Sequence, residues 1–130
     1  MRVFLSYAQQ DSADADALKR ALSKAGESVW SDKEILGGED WDSSIQRALR
    51  DSNVVLTLVT PASLSSQYVN YEIGSAIGAN VPVVPVLLRE VESLPRHLRQ
   101  TPAIDVRGLD STTIGTKVAA AIKKIPQHNN

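Results

Sequence analysis

Residues Asn53 to Thr60 read NVVLTLVT, a run that is apolar and β-branched almost throughout and is closed by Pro61. A strand with one wet face alternates apolar and polar residues, so a run without alternation predicts a strand covered on both faces, as in a parallel sheet. That segment restricts the chain to a layered α/β architecture. The flanking sequence supplies the other layers. Val3-Phe4-Leu5 is a short buried strand that begins almost at the first residue. A helix follows, with Asp11 or Ser12 as its cap, Leu18, Ala21, Leu22 and Ala25 on one stripe, and Gly26 as its stop. Ser28-Val29-Trp30-Ser31 is a second strand, and a polar, glycine-bearing loop runs from Asp32 to about Asp40. Trp41, Ile45, Ala48 and Leu49 then repeat at helical spacing. Beyond the central run, Val69, Ile73, Ala76, Ile77 and Asn80 mark a helix capped by Ser65 or Ser66. Val83 to Leu88 and Ile104-Asp105-Val106 are the last two strands. Thr113 to Lys124 closes the chain as a helix with Ile114, Val118, Ala121, Ile122 and Ile125 inward. The expected fold is a three-layer, flavodoxin-like α/β domain. Its five-stranded parallel sheet has the order 2-1-3-4-5, is flanked by helices, and binds ligands near the carboxyl ends of the strands.

A length of 130 residues predicts one domain, over residues 1–125, followed by a flexible tail over 126–130. That tail is either a frayed end or the junction to a further, sensing domain. Lys plus Arg number 14 against 15 Asp plus Glu, so the basic excess of a general nucleic-acid binder is missing. There is no cysteine, which excludes disulfides, thiolate metal sites and a cysteine nucleophile. Two histidines, His97 and His128, leave little material for a zinc site or a Ser-His pair, so no metal is expected. The absence of disulfides fits a reducing cytoplasm. The apolar start is too short for a signal peptide. The longest apolar run, Val81 to Leu88, is broken by Pro82 and Pro85 and falls far below the roughly 18 residues of a spanning helix. No membrane association is expected.

Several functions live on this architecture, and motifs remove some of them. No G-x-G-x-x-G follows the first strand, where the residues are Ser6-Tyr7-Ala8-Gln9-Gln10, and no P-loop occurs anywhere. A phosphate-receiver domain needs an acceptor aspartate ending the third strand, which instead ends in Thr60-Pro61. A distinctive set remains. Phe4-Leu5-Ser6-Tyr7-Ala8 ends the first strand. Val29-Trp30-Ser31-Asp32 ends the second, before a loop holding Leu36-Gly37-Gly38 and then Trp41. Tyr68 and Glu72 lie on the helix that follows Thr60-Pro61-Ala62-Ser63. Over essentially the whole chain this set resembles a Toll/interleukin-1 receptor (TIR) domain, of the bacterial type that carries an NAD-cleaving motif.

The resemblance implies an NAD glycohydrolase with Glu72 as catalytic residue. TIR domains that cleave NAD carry their catalytic glutamate four residues after an aromatic on this helix, more often tryptophan than the tyrosine found here. The substitution retains a stacking face. The resemblance also implies that NAD is a substrate with no separate cofactor, and that the products are nicotinamide and ADP-ribose or a cyclic isomer. It suggests antiphage defence as the biological setting. Ser6, Tyr7, Ala8, Trp30, Asp32 and Tyr68 are the implied substrate-binding residues. Other TIR domains are the implied partners, through a self-assembly loop centred on Leu36, Gly37 and Gly38.

The chemistry demanded of Glu72 is modest. Nicotinamide leaves as a neutral molecule and needs no general acid, so one carboxylate beside the ribose is enough to stabilise the oxocarbenium-like centre. Tyr68 and Glu72 stand at i and i+4 on one helix face, and Glu72 falls beside the Val69, Ile73, Ala76 stripe. The expected position is therefore the rim of the core, against the plain reading of a solvated surface glutamate. Ser6-Tyr7-Ala8 reads equally as ligand contact or as loop, Trp30 as core or stacking surface, and Leu36-Gly37-Gly38 as a mobile tip or an ordinary turn. Trp41 reads as packing, His97 as surface, and Asp11, Asp14 and Asp16 as charges favoured at a helix start. Two rival functions stand beside the glycohydrolase. One is a non-catalytic TIR–TIR interaction module. The other is a nucleoside-processing enzyme that uses its carboxylate covalently.

Overall fold

The computed structural model describes residues 1–34 and 40–126. Five strands, β1 (Arg2–Ser6), β2 (Ser28–Trp30), β3 (Val54–Val59), β4 (Val83–Leu87) and β5 (Ile104–Asp105), form one parallel sheet in the order β2-β1-β3-β4-β5. The helices are α1 (Ser12–Lys24), α2 (Trp41–Arg50), α3 (Pro61–Leu64), α4 (Gln67–Gly78) and α5 (Ser111–Ile122). All six residues of β3 are buried, as the unalternating run requires of a central strand. The expected flavodoxin-like class and strand order are the observed ones.

Each face of the sheet carries its own core. Val3, Leu5, Leu56, Leu58, Val84 and Val86 pack against Leu18 and Leu22 of α1 and Val118 and Ile122 of α5. Phe4, Val55 and Val83 turn to the opposite face and meet Ile45 and Leu49 of α2 with Val69, Ile73 and Ala76 of α4. Gly115 lets α5 approach α1 closely, because a Cβ there would stand 2.5 Å from Ala21 Cβ. Pro85 is tolerated inside β4 for a readable reason. Bonds from Val55 N to Pro82 O and from Leu88 N to Val59 O turn the even-numbered residues of β4 toward β3. Pro85, lacking an N–H, therefore faces the β5 side, where pairing begins only at Val86 with Ile104.

Three local expectations change. Neither Asp11 nor Ser12 caps α1 through its side chain: Ser12 is the first helical residue, and Asp11 is buried and accepts a 2.6 Å hydrogen bond from Thr60 Oγ1 at the end of β3. A carboxylate set between the ends of two adjacent strands finds a cross-sheet hydroxyl before it finds its own helix. Ile77 is exposed, and Asn80 lies beyond α4 with φ of 61°, so the inward stripe stops at Ala76. Pro61 opens a short helix, α3, fixed by reciprocal bonds between Thr60 and Ser63. Ser66, rather than Ser65, caps α4 by accepting from Val69 N at 3.2 Å.

Candidate functional site

In this strand order the chain reverses its direction of travel across the sheet between β1 and β3, and the crevice outside their carboxyl ends is the place for a ligand. Ser6 is the last residue of β1 and is 1% exposed. Its hydroxyl donates a 2.8 Å hydrogen bond to Glu72 Oε1. Glu72 stands in the second turn of α4, on the side turned to the sheet with Val69, Ile73 and Ala76, and is 2% exposed. Its second oxygen, Oε2, is buried with no hydrogen-bond partner among the described residues. Burial pushes this carboxyl up from its ordinary 4.5 to about 8. The Ser6 hydroxyl opposes that rise by bonding the charged form, and the negative charge of Asp32 adds to it. The carboxyl is thus buried more deeply than a rim position predicts.

Beside this pair lies a cleft of about 540 Å³, lined by Tyr7, Gln9, Asp32, Lys33, Trp41, Ser66 and Tyr68. The volume lies within the ordinary range of small-molecule sites, roughly 300–1,000 Å³. Its aromatic wall is built from two helices. Trp41 at the start of α2 meets Tyr68 of α4 edge-on, with ring centroids 5.8 Å apart, and stacks on Tyr71 at 6.4 Å. The Tyr71 hydroxyl donates to Asp42 and accepts from Gln46 Nε2, which latches α2 to α4 behind the wall. Tyr68 itself is 63% exposed, so a flat aromatic face is available to a ring from solution. A larger groove, about 800 Å³, runs between Val84, Ile104 and Ala121 near the amino ends of the strands. It contains no buried carboxyl and lies away from the switch point.

The predicted residues separate into three groups. Tyr7, Asp32 and Tyr68 line the cleft together. Ser6 and Glu72 form the buried pair behind them and are not among its described lining. Ala8 and Trp30 are not brought to it: Ala8 is 3% exposed and gives its carbonyl to Asp11 N, while the Trp30 ring lies 5.8 Å from the Arg2 guanidinium on the β2 edge. Leu36, Gly37 and Gly38 lie outside the described residues. Gln9, Lys33, Trp41 and Ser66 line the cleft without having been singled out as ligand contacts. Their common signal is position, since Gln9 follows β1, Lys33 follows β2, and Trp41 and Ser66 stand at the starts of α2 and α4. Among the described residues no group of three or more His, Asp or Glu side chains forms a metal-binding cluster, and no helix is long and apolar enough to cross a membrane.

A family model described as TIR domain matches residues 3–119. The chain belongs to the TIR domain family. No curated protein sequence matches it. Among solved structures, this TIR domain is similar to that of the Toll-related receptor TRR-2 from Hydra magnipapillata, with a TM-score of 0.69 and 22% identity, covering 79% of this chain and 82% of that one. It is similar to the CMP N-glycosidase BcmB of Clostridium botulinum, with a TM-score of 0.62 and 16% identity over 95% of this chain and 99% of that one. The TIR domains of the activated Roq1 resistosome, which directly recognises the pathogen effector XopQ, superpose with a TM-score of 0.61 and 21% identity, over 95% of this chain and 73% of that one. At these identities the likeness is one of fold.

Proposed function

We propose that this TIR domain is an NAD glycohydrolase. The observation that carries the reading is the Glu72 carboxyl: buried, held on one oxygen by Ser6, without a partner on the other among the described residues, and adjacent to an aromatic cleft. A buried acid with an unused oxygen destabilises a fold, and such groups cluster where chemistry needs them. In the proposed reaction the bond from ribose C1′ to the pyridinium nitrogen breaks, and its electron pair neutralises nicotinamide as it leaves. The Glu72 carboxylate stabilises the oxocarbenium-like ribose. Water then adds at C1′ and releases a proton, giving ADP-ribose; an internal nucleophile from the adenine or a ribose hydroxyl gives a cyclic isomer instead. A cationic substrate is matched to this site, because its charge favours ionisation of the carboxyl at the moment it is needed. Tyr68 and Trp41 supply faces for ring stacking. The activity is assigned to bacterial antiphage defence in the cytoplasm, with self-association through the loop from Asp32 to Asp40.

A second reading, a nucleotide N-glycosidase, is favoured by the likeness to the CMP N-glycosidase, which spans nearly all of both chains. Concentrated protein incubated separately with NAD and CMP, with all products resolved by chromatography, decides between the two. Nicotinamide release from NAD alone supports the first reading, and cytosine release from CMP alone replaces it with the second. Release from neither, even with the protein crowded on beads, leaves the TIR–TIR interaction module.

A further inference from the structure

Lys33 is the one cation among the described residues of the cleft, facing a single lining anion, Asp32. Its side chain is about half exposed. The ammonium stands 5.6 Å from the centre of the Tyr7 ring and 3.7 Å from Asp16 Oδ1. The exposed Asp16 pair is weak at that separation and screened by salt, and the Tyr7 side chain, itself part of the cleft lining, is the stronger electrostatic partner of the ammonium. The backbone that carries it is fixed. Glu34 accepts from Ser31 N and Ser31 Oγ at 2.8 and 2.7 Å and pairs with Lys19 of α1, which pins the turn after β2 to the body of the domain. The positive end of α4, capped by Ser66, faces the same cleft. The lining thus offers one ammonium and one helix N-terminus to an anion, beside the carboxylate of Asp32, with Glu72 buried behind.

We propose that Lys33 is the phosphate anchor of this cleft, contacting the diphosphate of a dinucleotide so that the cationic nicotinamide ribose is delivered to Glu72. The assignment rests on the glycohydrolase reading for its substrate but not for its ligand class, which is a nucleoside diphosphate. A charge-assisted contact from lysine to phosphate acts on binding of the intact nucleotide and is absent for a riboside that carries no phosphate.

The test pairs catalysis with a binding measurement that needs no turnover. In a Trp30→Phe background Trp41 is the remaining indole, and its fluorescence reports occupancy of the cleft by ADP. The expected result is saturable quenching by ADP that weakens roughly tenfold in Lys33→Ala and is restored in Lys33→Arg. In parallel, the ratio of kcat/KM for NAD to that for nicotinamide riboside falls about tenfold in Lys33→Ala, through KM. ADP binding equal in Lys33→Ala and the parent overturns the proposal, as does a parent protein that does not bind ADP at millimolar concentration. Loss of ADP binding in Lys33→Ala, with no cleavage of NAD by the parent, upholds the anchor and removes the glycohydrolase reading.

Discussion

Ser6 Oγ donates to Glu72 Oε1 at 2.8 Å, joining the end of β1 to the second turn of α4, while Glu72 Oε2 lies buried with no partner among the described residues. One oxygen is thus held by the fold and the other is unused by it. The hydroxyl also limits how far burial raises the carboxyl. Ser6→Ala removes that restraint and leaves both oxygens unpaired. It is expected to cost about 1–3 kcal/mol of stability in the range where Glu72 is ionised and to shift the activity profile to higher pH. Denaturant unfolding and a pH–rate profile measure both. An unchanged profile contradicts the positioning role.

The pH dependence of activity follows from the same pair. With Glu72 raised to about 8, the free domain holds it protonated at neutral pH. If the carboxylate is the active form, kcat/KM for NAD climbs about tenfold per unit below that value and levels above it. Asp32→Asn removes a like charge that contributes to the rise, so the midpoint moves down. A midpoint that moves up, or a rate that falls as pH increases through 8, contradicts the carboxylate mechanism.

Stability carries the opposite slope. The folded state binds the Glu72 proton more tightly than an unfolded chain with an ordinary value of 4.5. The contribution is therefore fully present below about 4.5 and is lost as pH rises toward 8, by up to about 1.4 kcal/mol per pH unit. Glu72→Gln abolishes this slope and unfolds at higher denaturant than wild type above pH 8. Parallel pH–stability curves for the two proteins are the contrary result.

The aromatic wall separates binding from folding. Tyr68 is 63% exposed, so Tyr68→Ala changes stability by no more than about 0.5 kcal/mol while raising KM for NAD. Trp41 packs against the core that holds Ile45 and Val69 as well as against Tyr68 and Tyr71. Trp41→Ala therefore costs about 2–4 kcal/mol in addition to its effect on KM. Equal Tm values for the two variants contradict this division.

Much of the fold is legible in the sequence. The unalternating run of β3 located the sheet centre, and the spacing of Val69, Ile73 and Ala76 drew α4 with Glu72 beside its stripe. Depth is harder to read, because a helical wheel gives direction and not distance from solvent; the tertiary contact with Ser6 at the end of β1 accompanies the burial of Glu72. The same limit hid the Asp11–Thr60 contact, which joins residues 49 apart in sequence. The side of the strand that Trp30 takes is not legible either, and its ring lies beside Arg2 with its N–H donated to Ser28 Oγ, on an edge strand of three residues. Lys33 is not legible in the sequence, because one lysine beside an acidic residue has no pattern of its own, and the cleft alone gives it meaning.

Close packing of α1 on α5 is tested by Gly115→Ala. The added methyl meets Ala21 Cβ at 2.5 Å, so the helices must part, at a cost of about 1–3 kcal/mol. A variant as stable as wild type places the two helices farther apart than described.

The most direct measurement is nicotinamide release from NAD at pH 8.5 by concentrated wild-type protein and by Glu72→Gln, a change that retains shape and removes charge. The account predicts steady release by the wild type and a loss of at least about a hundredfold in the variant, with the variant still folded. Release by Glu72→Gln at the wild-type rate contradicts it.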